Sequence, residues 1–141
     1  MTVKFSGQIR AQVIQPNVVT RFSFIAGEAI VAGQLFAKGE ADGRVYLAKA
    51  DDSTRMPAIG CAVSNAGVAE TIYGTPSGLI SNISGGGSWS RDQGVYVGKT
   101  AGQATSSPPE GSGDFVQSVG RSTNATDVML NISETVIQVN P

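Results

Sequence analysis

The stretch Gly94-Val95-Tyr96-Val97-Gly98-Lys99 decides the fold, because its pattern occurs earlier in the chain as Arg44-Val45-Tyr46-Leu47-Ala48-Lys49. An aspartate precedes each copy at the same interval, Asp42 in the first and Asp92 in the second. β-Branched and aromatic residues at the centre of a recurring unit are typical of strands. The repetition therefore predicts a β-hairpin or meander that occurs twice and carries no reactive group.

Both copies continue in the same way. An apolar residue followed by glycine comes next, Ile59-Gly60 in the first copy and Val119-Gly120 in the second. A further apolar segment of strand length then ends each unit. We therefore expect an internal repeat at about residues 42–73 and 92–132.

The composition favours a single domain built from short strands. The 141 residues are enough for one hydrophobic core without metal or disulfide support. Eighteen glycines, with many Val, Ile, Ser and Thr residues, favour strands joined by tight turns. Only 15% of residues are charged, against roughly 25% in ordinary domains. Either much of the surface faces another protein, or it is a polar β surface rich in serine and threonine.

Charge and hydropathy exclude several classes of protein. The net charge is −1 and no run of Lys or Arg occurs, which disfavours nucleic-acid binding. No segment approaches the ~20 apolar residues of a membrane span, and the first residues lack the apolar core of a secretory signal. The single cysteine, Cys61, lies between apolar neighbours and is expected to be a buried hydrophobe. These features indicate synthesis in a reducing cytoplasm.

Residues 2–13 alternate between apolar and polar side chains. Val3, Phe5 and Ile9 fall on one side, whereas Arg10 and its polar neighbours fall on the other. Alternation of this length predicts a strand with one buried face. We expect residues 1–20 to form an N-terminal strand or arm and residues 21–141 to form one β domain. The leading strand either pairs within the domain or adds to the sheet edge of a neighbour.

The remainder of the chain predicts an all-β fold of roughly eight to eleven short strands. No amphipathic helix of three turns is evident. Two segments are expected to lie at the surface, the glycine-rich residues 84–88 and the Ser/Pro/Gly-rich residues 106–113. A change of side-chain parity near Ser133-Glu134 predicts a bulge or turn in the last strand segment. Both a β-barrel and a β-sandwich fit this pattern.

No catalytic, cofactor or metal site is predicted. The sequence has no histidine, which excludes Ser-His-Asp and Cys-His arrangements and His-ligated zinc. Gly98-Lys99-Thr100 resembles the end of a phosphate-binding loop, but Gln93 occupies the position of the required first glycine. Asp51-Asp52 lacks the spacing of a dedicated calcium loop. The 11 acidic residues leave paired carboxylates open by count alone, yet most lie in turns.

Three phrases read together resemble a known family. They are a glycine-marked hairpin, a strand leading to an apolar-Gly step, and the second copy of that strand and step: residues 26–36, 42–62 and 94–120. This combination is similar to the small β proteins among the structural genes of tailed bacteriophages, in particular capsid decoration (cement, or head-stabilising) proteins. The resemblance covers roughly residues 22–132, and its motifs are structural.

The resemblance implies a compact β-barrel or β-sandwich (β-tulip-like) protomer that assembles as a homotrimer. Such trimers bind the outer face of the capsid at junctions between subunits of the major capsid protein, so the chain would be a non-enzymatic virion component. The family has no shared active-site residues to transfer. From position alone, Val3, Phe5, Ile9 and Arg10 are the candidate capsid contacts.

A receptor- or glycan-binding module of a phage fibre or tail is the alternative. In that case Trp89, Tyr96 and the loop at residues 106–113 would form a distal binding face. Trp89 and Phe115 flank the glycine-rich and Pro/Gly-rich segments, where they either form an apolar contact patch with Tyr96 or anchor the loops to the core. A fibre subunit normally carries a longer shaft, and none is evident in this sequence.

Overall fold

Residues 21–140 are described by a computed structural model, and they confirm the all-β prediction. No α-helix occurs in this range, and one 3₁₀ helix, Ser53–Arg55, interrupts the strands. The twelve described strands are short because glycine, proline and polar turns separate them. They are β1 Phe22–Ile25, β2 Leu35–Lys38, β3 Val45–Leu47, β4 Ala58–Ala62, β5 Thr71–Thr75, β6 Ser77–Ile80, β7 Gly94–Val97, β8 Ala104–Thr105, β9 Phe115–Val116, β10 Ser118–Ser122, β11 Val128–Asn131 and β12 Ile137–Gln138.

Ten of these strands form two five-stranded antiparallel sheets with the same connectivity. The first sheet has the order β1-β5-β4-β2-β3, and the second has the order β6-β11-β10-β7-β8. In both, the first strand of the unit pairs with the fifth, the fifth with the fourth, the fourth with the second, and the second with the third. Strands β9 and β12 form a separate two-stranded pair. The structural repeat thus spans residues 22–75 and 77–131, with Pro76 between the two units.

The sequence markers of the repeat do not all fall on equivalent strands. Ile59-Gly60 in β4 and Val119-Gly120 in β10 both lie where the strand register shifts against the neighbouring strand, β2 or β7. The phrase centred on Tyr46 lies in β3, an edge strand, whereas the phrase centred on Tyr96 lies in the central strand β7. A three-residue apolar-Tyr-apolar phrase suits any half-buried strand, so it does not specify a position in the sheet.

One hydrophobic core lies between the two sheets. In β7, Val95 and Val97 are fully buried while Gly94 and Tyr96 are half-buried, so alternate residues face the core. Both sheets contribute to this core, which makes the arrangement sandwich-like. Its buried members are Leu35, Ala37, Ala48, Ala50, Ala58 and Cys61 from the first unit, and Ile83, Trp89, Val95, Val97, Ala104, Val119, Val128 and Leu130 from the second.

A second core covers the other face of the first sheet. Phe36 is its largest buried side chain, and the Phe36 ring lies over Gly60 in β4 and Gly74 in β5. A Cβ atom at Gly74 would lie 2.4 Å from the Phe36 ring, and one at Gly60 would lie 2.9 Å from it, so glycine makes room for the ring. The segment after β1 closes over this core, because Ile30 pairs with Ala66 and both are buried.

The glycine-rich residues 84–88 pack closely against strand β8 at one point. The Ala104 N–H donates to the Ser84 carbonyl at 2.8 Å, and β8 lies within the long connection that follows β7. A Cβ atom at Gly85 would lie 2.1 Å from the Ala104 carbonyl oxygen, so only glycine fits there. No helix in residues 21–140 is long and apolar enough to cross a membrane.

A candidate docking edge at β1

Strand β1 lies at one end of the first sheet and, among residues 21–140, is bordered along its length by β5 alone. The pairing is antiparallel, with Phe22 opposite Gly74 and Ile25 opposite Thr71. An edge strand presents backbone N–H and C=O groups to which a further strand can bond. Immediately after β1 the chain turns towards β3, where the Gly27 N–H donates to the Val45 carbonyl at 2.8 Å.

One side of β1 is fixed by aromatic packing. Phe22 and Phe24 are half-buried, and their rings meet edge to face with 5.1 Å between centroids. Phe24 in turn contacts the buried Phe36, with 6.0 Å between the ring centroids. Edge-to-face pairs at these distances are favourable beyond the area that they bury. β1 is therefore held in place by the core, and among residues 21–140 no strand pairs with its outer edge.

The opposite side of β1 exposes apolar side chains. Ile25 is 43% exposed and Tyr73, on the neighbouring strand, is 42% exposed. The Arg21 guanidinium lies over the Tyr73 ring, 5.2 Å from its centroid. A strand added beside β1 would bring its own side chains against this surface. The sequence predicts no contact at either residue, although the alternation within β1 separates Ile25 from the two phenylalanines.

The candidate contacts Val3, Phe5, Ile9 and Arg10 lie outside the described residues. The segment that contains them, residues 1–20, leads directly into Arg21 and β1. The alternating residues 2–13 therefore precede the edge strand β1 in the chain. This adjacency is what makes the β1 edge, with Ile25 and Tyr73, the candidate site.

The three aromatic residues proposed as a distal patch lie in different places. Trp89 is only 7% exposed and belongs to the core between the sheets. Tyr96 alternates with the core residues of β7, so its side chain faces the outer side of the second sheet. Phe115 is half-buried in β9, where its backbone N–H donates to the Ala50 carbonyl at 2.8 Å. Trp89 thus anchors its segment to the core, and only Tyr96 lies on an outward face of the second sheet.

Charged residues near the β2–β3 hairpin bond mainly to one another. The Arg55 guanidinium pairs with the Glu28 carboxylate at 2.6 Å and stacks over the Tyr46 ring at 4.5 Å. The Tyr46 hydroxyl donates to the Asp42 carboxylate at 2.5 Å. That hydrogen bond lowers the pKa of the Asp42 carboxyl and raises the pKa of the Tyr46 phenol. We infer that these contacts stabilise the β2–β3 hairpin.

Cys61 is fully buried in the core between the sheets. Burial raises the pKa of its thiol to about 12, so the thiol stays protonated at neutral pH. Within residues 21–140 no group of three or more Cys, Asp or Glu side chains could hold a metal ion.

No protein-family model and no curated protein sequence matches this chain.

Proposed function

We propose that this chain is a structural protein of a tailed bacteriophage that binds the outer face of the capsid and stabilises the shell. It acts as a homotrimer at junctions between subunits of the major capsid protein, and no catalytic step is part of this function. The proposal rests on the sequence resemblance together with one structural observation. That observation is the position of β1 at the end of the first sheet, and the alternating residues 2–13 precede this strand in the chain.

Binding occurs through strand addition in this proposal. The segment with Val3, Phe5 and Ile9 pairs with a sheet edge of the capsid, and these side chains serve as apolar anchors. In this proposal the segment is committed to a partner, and the two hydrophobic clusters formed by residues 21–140 are expected to hold the fold.

Trimerisation strengthens the attachment. Three segments from one trimer reach several capsid subunits, so the second and third contacts form at a high effective concentration. Weak individual contacts then give a firm overall attachment across subunit boundaries. This geometry resists the separation of neighbouring capsid subunits under internal pressure.

Co-sedimentation with empty phage shells tests the proposal. We expect the full chain to have the solution mass of a trimer and to pellet with shells at a saturating ratio. Deletion of residues 2–13 should abolish pelleting while the far-UV circular dichroism spectrum and the melting temperature stay close to those of the full chain. Unfolding of the truncated chain would instead place the segment in the core and contradict the proposal.

A matched pair of variants separates the apolar side of the segment from added charge alone. One variant carries Val3→Asp, Phe5→Asp and Ile9→Asp, and the control carries Ser6→Asp, Gln8→Asp and Gln12→Asp on the alternate positions. We expect only the first variant to lose pelleting. Equal loss in both, or retention in both, would show that the apolar alternation does not anchor the protein to shells.

A further inference from the structure

The outer face of the second sheet contains a groove that lies away from the β1 edge. Its cavity volume is about 560 Å³, and it crosses the strands β7, β10 and β11. Each of these strands is paired on both sides within the sheet. No strand edge is therefore available here for an added peptide strand, and any ligand must be recognised by side chains.

The two tyrosines of the repeated phrase differ in the hydrogen bonds of their hydroxyl groups, and Tyr96 lies in this groove. Tyr46 and Tyr96 each follow an aspartate by four positions. In the first copy the Tyr46 hydroxyl is bonded to Asp42. In the second copy Asp92 bonds instead to the Arg121 side chain, with 2.7 Å between Oδ1 and Nε. The Tyr96 hydroxyl consequently has no hydrogen-bond partner among the described residues.

The groove is lined by both apolar and polar side chains. Gly94 allows the Tyr96 side chain to lie along the strand, since a Cβ atom at Gly94 would lie 2.8 Å from the Tyr96 hydroxyl. Met129 is 51% exposed and lies opposite Arg121 in the pairing of β10 with β11. The Asn131 side chain lines the same groove and is bonded to no described residue. The groove therefore combines a ring and a thioether with a hydroxyl group and an amide that have no side-chain hydrogen bond to residues 21–140.

The charged groups of the groove neutralise each other. The carboxylate of Asp92 is 74% exposed and the Arg121 side chain is 60% exposed, so both remain accessible to a ligand while they are paired. Their hydrogen bond lowers the pKa of the Asp92 carboxyl below its usual value. A neutral ligand that can donate to the carboxylate and accept from the guanidinium matches this pair best.

We propose that this groove binds a neutral oligosaccharide. A pyranose ring has an apolar C–H face that suits the Tyr96 ring and Met129. Its hydroxyl groups both donate and accept, which suits the Tyr96 hydroxyl, the Asn131 amide and the Asp92–Arg121 pair. The volume lies within the range of roughly 300–1,000 Å³ typical of small-ligand sites. This binding is separate from the shell attachment proposed above, because it uses the outer face of the second sheet and not the amino-terminal segment.

Calorimetric titration of the full chain with four neutral probes tests this assignment. The probes are maltohexaose, cellohexaose, mannohexaose and chitohexaose, each taken to millimolar concentration. We expect at least one to bind, Tyr96→Ala to weaken that binding by about tenfold or more, and Asn131→Ala to weaken it by about three- to tenfold. Circular dichroism and thermal melting verify that each variant is folded.

A pair of conservative variants provides the control. Tyr96→Phe and Tyr46→Phe each remove one hydroxyl group from equivalent positions of the repeated phrase. Tyr96→Phe should weaken sugar binding by about three- to tenfold, and Tyr46→Phe should leave it unchanged. The proposal is wrong if no probe binds, if Tyr96→Ala leaves the affinity unaltered, or if Tyr46→Phe has the same effect as Tyr96→Phe. Absence of sugar binding together with loss of shell pelleting in Tyr96→Ala would instead assign the groove to a protein partner.

Discussion

Gln117 is a buried polar residue that joins the two halves of the molecule. It is 1% exposed and precedes β10 in the second unit. The side-chain oxygen Oε1 of Gln117 accepts from the Ala58 N–H at 2.8 Å, and the side-chain nitrogen Nε2 donates to the Ala58 carbonyl at 2.9 Å. The amide also donates to the Ser133 carbonyl at 2.8 Å. One side chain thus satisfies both backbone groups of a residue in the first sheet.

Replacing this side chain by an apolar one of similar size should destabilise the protein. Gln117→Leu leaves the Ala58 N–H and C=O without partners in the interior, and we expect the free energy of unfolding to fall by about 2–4 kcal/mol. Urea denaturation measures the change. Gln103→Leu is the matched control, because Gln103 is exposed and should change stability by no more than about 0.5 kcal/mol. Equal effects of the two substitutions would contradict the role of Gln117.

At the scale of elements, the sequence predicts strands well and their partners poorly. The alternation around Tyr96 and the β-branched residues near Ile59 are local signals, and strands lie at both. Strand partners depend on contacts between residues far apart in the chain, which local patterns do not encode. The apolar-Gly step at Val119-Gly120 marks the repeat in the sequence, but the register shift there follows only from the strand pairing, where glycine supplies the special backbone conformation.

The candidate sites were only partly predictable for the same reason. The alternation of Val3 and Phe5 predicts a contact strand in the amino-terminal segment. The edge position of β1 follows only from the strand order. Trp89 was expected either on a contact patch or in the core, and its burial depends on the approach of the two sheets. The different partners of Asp42 and Asp92 depend on Arg121, a residue 29 positions from Asp92.

The register shift in β10 gives a prediction about one element. Gly120 has φ 152°, and a Cβ atom there would lie 2.2 Å from the Met129 carbonyl oxygen. Gly87 has a similar φ of 145° but no atom within 4 Å of the same position. Both Gly→Ala variants share the backbone strain of about 1–3 kcal/mol, and only Gly120→Ala adds the clash. We expect Gly120→Ala to lower stability by at least about 2 kcal/mol more than Gly87→Ala, as measured by urea denaturation. Equal losses of stability in the two variants would contradict this prediction, because they would mean that β10 and β11 move apart at no cost to relieve the clash.

At the scale of the whole molecule, two units with the same strand order share one core. Leu35 and Cys61 from the first unit pack in the same cluster as Val95 and Leu130 from the second. Each sheet needs the other to bury the face that carries these core residues. The repeat is therefore an arrangement of two interdependent halves, and we expect residues 21–140 to unfold in a single step.

The single tryptophan makes this expectation measurable. Trp89 belongs to the second unit, so its fluorescence follows that unit, whereas far-UV circular dichroism follows strands of both. The two signals should give the same midpoint in urea. Leu35→Ala, in the first sheet, should lower stability by about 2–5 kcal/mol and shift both transitions equally, because it leaves a cavity in the shared core. Leu79→Ala should have little effect, since Leu79 is 59% exposed on the outer face of the second sheet. If Leu35→Ala left the urea midpoint of the Trp89 fluorescence unchanged, the two sheets would fold independently, and contact between them would add no stability to either.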